Sequence, residues 1–474
     1  MAQTPPEAGD WQARTVVVAG AAVAGAAAAR ALLRRGASVT VVDRRASEGT
    51  EALAAAGARV VIADGPVPGL FEAASELVVS PGFAPDHPLV TAARGAGLSV
   101  YSEPELAWRL RTAQAAPWLA VTGTNGKTTT VTMLAAMLRA AGLRAAAVGN
   151  IGEPLVDLPG PADPQGYDVL AVELSSQQLY WSQTLAPTGG ALLNLAEDHL
   201  DWHGGFRAYV AAKRAIWRGV PPGTAVGNLD DLRVAAMLPG PRVGFTLRPP
   251  ARGQLGVADG VLLDHAYADP PVELAPTGLV RPAGQHHVAN ALAAAALARS
   301  HGVPAEAIRA ALAGYQPEPH RNALVAVVSG VSYVDDSKAT NPHAALGSLT
   351  AYPRVVWIAG GQLKGIAVDD LVATVADRLA GAVLLGVDRA ELARCLARHA
   401  PQLPVVEVAN TDDGAMGEVV RAAAAMAAPG DTVLLAPAAA SRDMFTSYAH
   451  RGRAFAAAVS ALPGAGEPAA GGGS

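Results

Sequence analysis

Between Val121 and Thr130 the chain reads VTGTNGKTTT, a glycine-bearing run that passes at once into residues of helical periodicity. Backbone N–H groups at the mouth of a helix cradle phosphate, Lys127 can reach β/γ-phosphate oxygens, and the Thr128 hydroxyl can take a Mg²⁺ ion. The run departs from the strict G-x-x-x-x-G-K-[ST] pattern, since Val121 holds its first position and the glycine is Gly123; an ordinary helix-start loop is the alternative. Glu173 closes the strand-like VLAVE, and a carboxylate at the carboxyl edge of a strand can bind a metal that bridges phosphate oxygens. Next, NLAEDHLDWHGGFRAYVAAKRAIW sets Asp198, His199, Asp201, His203 and Lys213 in one segment. A single turn histidine is more often satisfied locally than a ligand, but this clustering after a strand favours a functional His199. Lys213, taken by its surroundings alone, reads as a solvated helix lysine.

A second concentration of polar groups begins at Asp335 with DDSKATNPHAA, and loops so dense in acid, hydroxyl, lysine and amide usually hold a polar ligand. GGQLKG from Gly360 and APAAASRDMFTSY from Ala436 also follow strand-like runs, so three strand-end loops are expected to converge. Near the N-terminus GAAVAG has Gly20 and Gly25 but lacks the middle glycine of G-x-G-x-x-G. Asp43 stands where a Rossmann domain would hold a ribose. Arg44 and Arg45, directly after it, suit a phosphate better than a nicotinamide dinucleotide, with ordinary surface arginines as the alternative.

Those residues need rigid elements beneath them. A chain of 474 residues suggests about three domains at ~150 residues each. Hydrophobic residues make up 51% and aromatics only 5%, so the apolar mass is mainly alanine, valine and leucine, which suits buried parallel strands and small-residue helices. Residues 15–43 read as a βαβ unit of the Rossmann kind, with further strands at 59–63 and 77–80. A new strand from Trp118 feeds the glycine loop, strands recur at 169–173 and 190–195, and Gln285–Ser300 is an alanine-rich helix. After the linker QPEPH, strands at 331–334, 355–359, 382–385 and 432–436 alternate with helices, the first of them opening the third domain. The expected architecture is α/β in three domains: Rossmann-like 1–112, a P-loop-type ATPase 113–317, Rossmann-like 318–462, and a disordered tail 463–474.

The formal charge of -5 offers no general attraction to nucleic acid. The single Cys395 excludes an internal disulfide, fits a reducing cytosol, and reads as a small buried helix residue. No basic start leads into an apolar run, and the weakly polar stretch 15–29 is shorter than the ~20 residues a membrane span needs. A soluble protein without membrane insertion is expected.

Taken in order, these segments resemble the Mur ligase family. VTGTNGKTTT resembles its ATP loop, VELSSQQL its metal-glutamate strand, and NLAEDHLDWH with Lys213 its histidine and carbamylated-lysine segment. GQHHVAN from Gly284 and PHRN from Pro319 resemble further motifs, while DDSKATNP, GGQLKG and LLAPAAASRDMF resemble the D-glutamate-adding branch. The resemblance covers about Thr15 to Phe455. It implies a cytoplasmic, monomeric, ATP-dependent ligase of peptidoglycan synthesis that joins D-glutamate to UDP-N-acetylmuramoyl-L-alanine through an acyl phosphate, using two Mg²⁺ ions and a carbamylated Lys213. No nucleic acid is a partner.

By the same resemblance Gly123, Thr124, Asn125, Gly126, Lys127, Thr128 and Thr129 hold ATP, with Asn290 at the adenine, Arg321 at the phosphates and Asp336 on the ribose. Thr128, Glu173, His199 and Lys213 are implied metal ligands, and Lys127, His199 and Lys213 the catalytic set. Val23, Ala24, Arg44, Arg45, Gly82 and Asn150 would line the UDP-sugar site; Lys338, Thr340, Lys364, Ser441 and Tyr448 would receive D-glutamate. Catalysis by such a set is positioning and charge neutralisation, and sites on three domains imply closure. Arg442 departs from the family, which often has a smaller or apolar residue there, and GAAVAG is a loose version of its first turn. A sibling adding diaminopimelate or lysine would carry a DNPR-like motif, which is absent. Folylpolyglutamate synthase has no UDP-binding first domain, a Rossmann dehydrogenase would need the middle glycine, and a non-catalytic ATP-binding module would leave Lys127, Glu173 and His199 vestigial.

Overall fold

The structure, a computed structural model, describes residues 11–159, 166–240 and 242–464, so most of the tail expected at 463–474 lies outside the described residues. The first sheet comprises β1 (Thr15–Ala19), β2 (Ser38–Asp43), β3 (Arg59–Ile62), β4 (Glu76–Val79) and β5 (Ser99–Ser102), ordered β3-β2-β1-β4-β5 and parallel throughout, with β1 and β4 at its centre buried on both faces and β3 an exposed edge. The helix Val23–Leu33 buries Ala26, Ala27, Ala28, Ala29 and Ala31, small side chains that let it lie close to the strands. A Cβ at Gly25 would collide with the carbonyl oxygen of Gly20, so the β1-to-helix turn needs its outer glycines even without a middle one.

The second sheet comprises β6 (Trp118–Thr122), β7 (Ala145–Gly149), β8 (Val169–Glu173), β9 (Gly189–Leu192), β10 (Ala225–Asn228), β11 (Val243–Phe245), β12 (Gln254–Ala258), β13 (Val261–Asp264) and β14 (Val272–Pro276). Its order is β14-β13-β12-β11-β10-β9-β6-β8-β7, parallel except for the antiparallel meander β12 to β14. The third sheet holds β15 (Ala323–Val328), β16 (Val331–Asp335), β17 (Val355–Gly360), β18 (Leu379–Leu385), β19 (Val405–Glu407) and β20 (Thr432–Leu435), ordered β15-β16-β20-β17-β18-β19. One expectation is corrected here: the run at 331–334 does not open this sheet. β15 precedes it as an antiparallel edge strand, irregular in register and with exposed apolar side chains such as Leu324 and Val327, so that a buried-strand pattern does not reveal it.

Two compact units result, one drawn from Met1–Leu279 and Ala289–Tyr315, the other from Val280–Val288 and Gln316–Ser474. The first two sheets therefore share a unit. Within it the helix Glu103–Arg109 acts as a bracket through two buried carboxylates. Glu105 accepts hydrogen bonds from the N–H groups of Gln183, Thr184 and Leu185, and Glu103 from that of Val156. Arg30 and Arg34 both pair with Asp157, beside the Glu103 contact.

Burial raises the Glu103 carboxyl to about 7, with nearby Asp157 adding to the rise and two backbone N–H donors opposing it. A carboxyl whose folded value lies above its unfolded value contributes stability in full below the unfolded value and loses it as pH rises through the folded one. Glu103→Gln is accordingly expected to raise the melting temperature at pH 8.5, by up to about 3 kcal/mol of stability, with little effect at pH 4.5. Melting curves of both proteins across that range check this; a pH-independent difference would contradict it.

Candidate active site

Strands β9, β6 and β8 lie side by side and parallel, so the loops leaving their carboxyl ends must share one edge. There the Thr124 N–H donates to the Asn194 carbonyl, the Asn125 N–H to the Asn194 side chain, and the Thr124 hydroxyl meets Tyr209 Oη at 2.8 Å. Gly126, φ 84, begins the helix Lys127–Ala140, and a Cβ on it would collide with Asn290 Oδ1. Asn290 is thus brought to the loop from the helix Gln285–Ser300. Lys127 Nζ folds back to donate to the carbonyls of Gly123 and Thr124, both at 2.9 Å, at the rim of a helix-terminal anion cradle. Thr129, the third residue of the helix, is buried.

At the end of β8 the Glu173 carboxylate accepts from Thr128 Oγ1 at 2.7 Å and from Asn150 Nδ2 at 2.8 Å. Among the described residues no group of three or more His, Cys, Asp or Glu side chains is assembled as a metal cage. An acid beside a hydroxyl nevertheless suits Mg²⁺, which binds through one or two protein oxygens and takes its remaining positions from phosphates and water. His199, φ 52, starts the one-turn helix Leu200–His203 and is exposed, with Asp198 as its neighbour at 3.6 Å. His203 is buried instead, its Nε2 2.9 Å from Ser176 Oγ, and burial pulls it down to about 4.

The solvated reading of Lys213 is overturned, since the side chain is buried. Helix Phe206–Arg214 turns Lys213 inward beneath the glycine loop, where Nζ donates to the Gly123 carbonyl at 2.7 Å, the same oxygen that Lys127 reaches. Burial first, then the charge of Lys127, hold its amine well below the ordinary lysine value, while Asp198 and Glu173 act the other way. Two ammonium groups ~5 Å apart would repel by about 3 kcal/mol at an effective dielectric of ~20. The arrangement therefore favours a neutral, nucleophilic amine at Lys213.

In the first sheet a cavity of about 490 Å³ opens at the carboxyl ends of β1, β2 and β4, with Arg44, Arg45, Ser80 and Gly82 in its wall. That size suits a small-molecule ligand. Asp43 also lines it, but its carboxylate accepts the Ala21 N–H at 2.8 Å and so braces the glycine turn. Val23 and Ala24 begin the following helix and stand outside this wall, as does Asn150, whose amide is committed to Glu173.

In the second unit, the carboxyl ends of neighbouring strands β16, β20 and β17 launch the loops that carry Lys338 and Thr340, Ser441, and Lys364. Gln362 and Ala440 bridge two of these loops. Lys338 Nζ stands 4.0 Å over the ring of Tyr448, Ser441 is buried, and Lys364, φ 55, is exposed. Asp336 is buried with its carboxylate taking the Ser348 hydroxyl and the Asn322 N–H, and burial raises it to about 6; Arg321 acts on it electrostatically.

Models of three known domains match the chain in order: the Mur ligase MurD-like N-terminal domain at residues 14–102, the Mur ligase middle domain at 121–261, and the Mur ligase glutamate ligase domain at 320–439. The protein named UDP-N-acetylmuramoylalanine--D-glutamate ligase in Thermobifida fusca is 54% identical over 465 residues, covering 95% of this chain and 99% of its own. Its namesake in Streptomyces avermitilis is 52% identical over 468 residues, covering 96% and 99%. The chain belongs to the Mur ligase family. The fold of this Mur ligase is also that of the UDP-N-acetylmuramate-alanine ligase of Thermotoga maritima, with TM-score 0.57, 18% identity, and 93% and 98% of the two chains covered. MurF of Acinetobacter baumannii superposes with TM-score 0.59 at 19% identity over 94% and 93%.

Motif spacing alone did not reveal one residue of this Mur ligase. Arg451, on the helix Tyr448–Ser460, is buried and donates to the carbonyls of Ser337, Gly360 and Ala439 and to Ser337 Oγ, tying together all three strand-end loops of the second unit. An arginine within HRGRAF reads as a surface residue, and nothing local in the sequence marks it. Arg442, the departure from the family, is exposed.

Proposed function

We propose that this Mur ligase joins D-glutamate to UDP-N-acetylmuramoyl-L-alanine at the expense of ATP, in the cytoplasmic stage of peptidoglycan synthesis and as a monomer. The observation that carries the reading is the junction of Lys127, Thr128, Glu173 and Lys213 around Gly123, on a chain more than half identical to relatives named for that ligation. Within the family fold, the boundaries proposed are 112/113, 317/318 and 462/463.

Gly123 to Thr129 would cradle ATP phosphates with backbone N–H groups, Lys127 would turn from its loop carbonyls to the β/γ oxygens, and Asn290 would meet the adenine. Arg321 and Asp336 are assigned to phosphate and ribose by motif resemblance. Thr128, Glu173, His199 and a carbamylated Lys213 would hold two Mg²⁺ ions, which when bound supply charge neutralisation to the transferring phosphoryl group. The alanyl carboxylate of the UDP substrate attacks the γ-phosphorus, ADP leaves, and the D-glutamate amine then displaces phosphate from the acyl carbon. Arg44, Arg45 and Gly82 would line the UDP-sugar site, with Val23, Ala24 and Asn150 at its margins. Lys338, Thr340, Lys364, Ser441 and Tyr448 would take the incoming amino acid.

An exposed lysine at a strand end is an anion anchor for a substrate with two carboxylates. Lys364→Ala is expected to raise the KM for D-glutamate ~10-fold or more and leave that for ATP within about twofold. Initial-rate kinetics with each substrate varied separately tests this. If the ATP constant rose instead, Lys364 would belong to the nucleotide site. ADP formation that needs both acceptor and amino acid separates a ligase from a non-catalytic ATP-binding module.

A further inference from the structure

We propose that Trp202 is a positioning residue for the ligation, supported by Trp181: it ties the loop lining the first-sheet cavity to the turn that displays His199. The proposal rests on reading that cavity as the UDP-sugar site. Gly82 and Phe83, both in the cavity wall, follow β4. The Gly82 carbonyl accepts the Trp202 indole N–H at 3.3 Å, and the Phe83 carbonyl accepts that of Trp181, also at 3.3 Å. An indole has one donor, so each ring is committed to one carbonyl of the same loop.

Both tryptophans sit close in sequence to the phosphate-site residues. Trp202 lies in the helix Leu200–His203, whose first turn is opened by His199; Trp181 directly follows the helix Ser176–Tyr180, which the chain enters soon after Glu173. Their rings pack edge to face with centroids 6.2 Å apart, and Tyr180 packs perpendicularly on both, at 4.8 and 5.3 Å. His203 closes the block through Ser176 Oγ, and Arg94 stands over the Trp181 ring. Rings held this way cannot turn independently. A ligand that displaces the Gly82 loop must therefore load the Trp202 hydrogen bond, and with it the placement of His199. Glu173 and Lys213 are held by other contacts and do not depend on this tie.

The test uses the full chain and Trp202→Phe, which keeps an aromatic ring but loses the N–H donor; Trp202 is only partly buried, so the exchange is mild. Tryptophan emission is followed during titration with UDP-N-acetylmuramoyl-L-alanine, and initial rates are measured in parallel. The expected result is an emission change in the unaltered chain that is mostly lost in Trp202→Phe. The KM for the UDP substrate should rise ~5-fold and kcat should fall, with the KM for ATP unchanged, as loss of one hydrogen bond at a coupled site predicts. Unaltered kinetics in Trp202→Phe would overturn the proposal while leaving the cavity assignment intact. No calorimetric binding of the UDP substrate to the unaltered chain would overturn the cavity assignment and this proposal with it.

Discussion

Lys213→Ala is expected to lower ligase turnover ~10²–10³-fold, and millimolar formate or acetate to restore part of it. The chemistry starts from the buried amine beneath Gly123, where burial and the charge of Lys127 favour the uncharged form. Its lone pair adds to the carbon of CO₂, one proton is lost, and the resulting carbamate carries a negative charge where an ammonium would face Lys127 and repel a metal ion. Truncation to alanine leaves room that a small carboxylate can fill with the same charge. Lys213→Arg is the control, because guanidinium keeps the positive charge and forms no carbamate; it should be as inactive as the alanine variant and show no rescue. An active arginine variant would return Lys213 to a purely structural role. Retained melting temperature and ATP binding in Lys213→Ala would separate lost chemistry from lost folding, since a buried side chain has been removed.

Lys127→Ala should remove activity by ~10³-fold and leave the affinity for UDP-N-acetylmuramoyl-L-alanine within about twofold. Lys127 belongs to the second sheet's glycine loop, whereas the proposed UDP-sugar cavity is walled by residues between Gly20 and Leu89, on the first. The two readouts, turnover and calorimetric binding, thus report different sheets. Equal loss of both would contradict the separation of nucleotide and acceptor sites.

The elements most legible in the sequence were those with one dominant physical signal. The strand ending at Glu173 and the helix Gln285–Ser300 have the bounds expected from an unbroken apolar run and an alanine-rich stretch. Cys395 is buried in a helix, as its type suggests. The meander β12 to β14 was less legible, although Asp259 and Gly260, φ 50 and 75, carry a two-residue hairpin signal, because no chemistry-bearing residues flank them. Burial of charge was hardest to foresee. Lys213, Arg451, Glu103 and Glu105 are all buried, and each has a hydrogen-bond partner more than 40 residues away that no local pattern announces. Asn150, an uncharged residue 23 positions from Glu173, was equally hidden, because the two meet only through the parallel pairing of β7 and β8.

Amino-acid selectivity separates a D-glutamate ligase from its lysine- or diaminopimelate-adding siblings. With UDP-N-acetylmuramoyl-L-alanine, ATP and Mg²⁺ present, phosphate release is measured with D-glutamate, L-glutamate, L-lysine or meso-diaminopimelate, and the product is weighed by mass spectrometry. Release is expected only with D-glutamate, accompanied by a product heavier by one glutamyl residue, and none when either acceptor or amino acid is omitted. Equal release with lysine or diaminopimelate, or ATP hydrolysis indifferent to the acceptor, would contradict D-glutamate ligation.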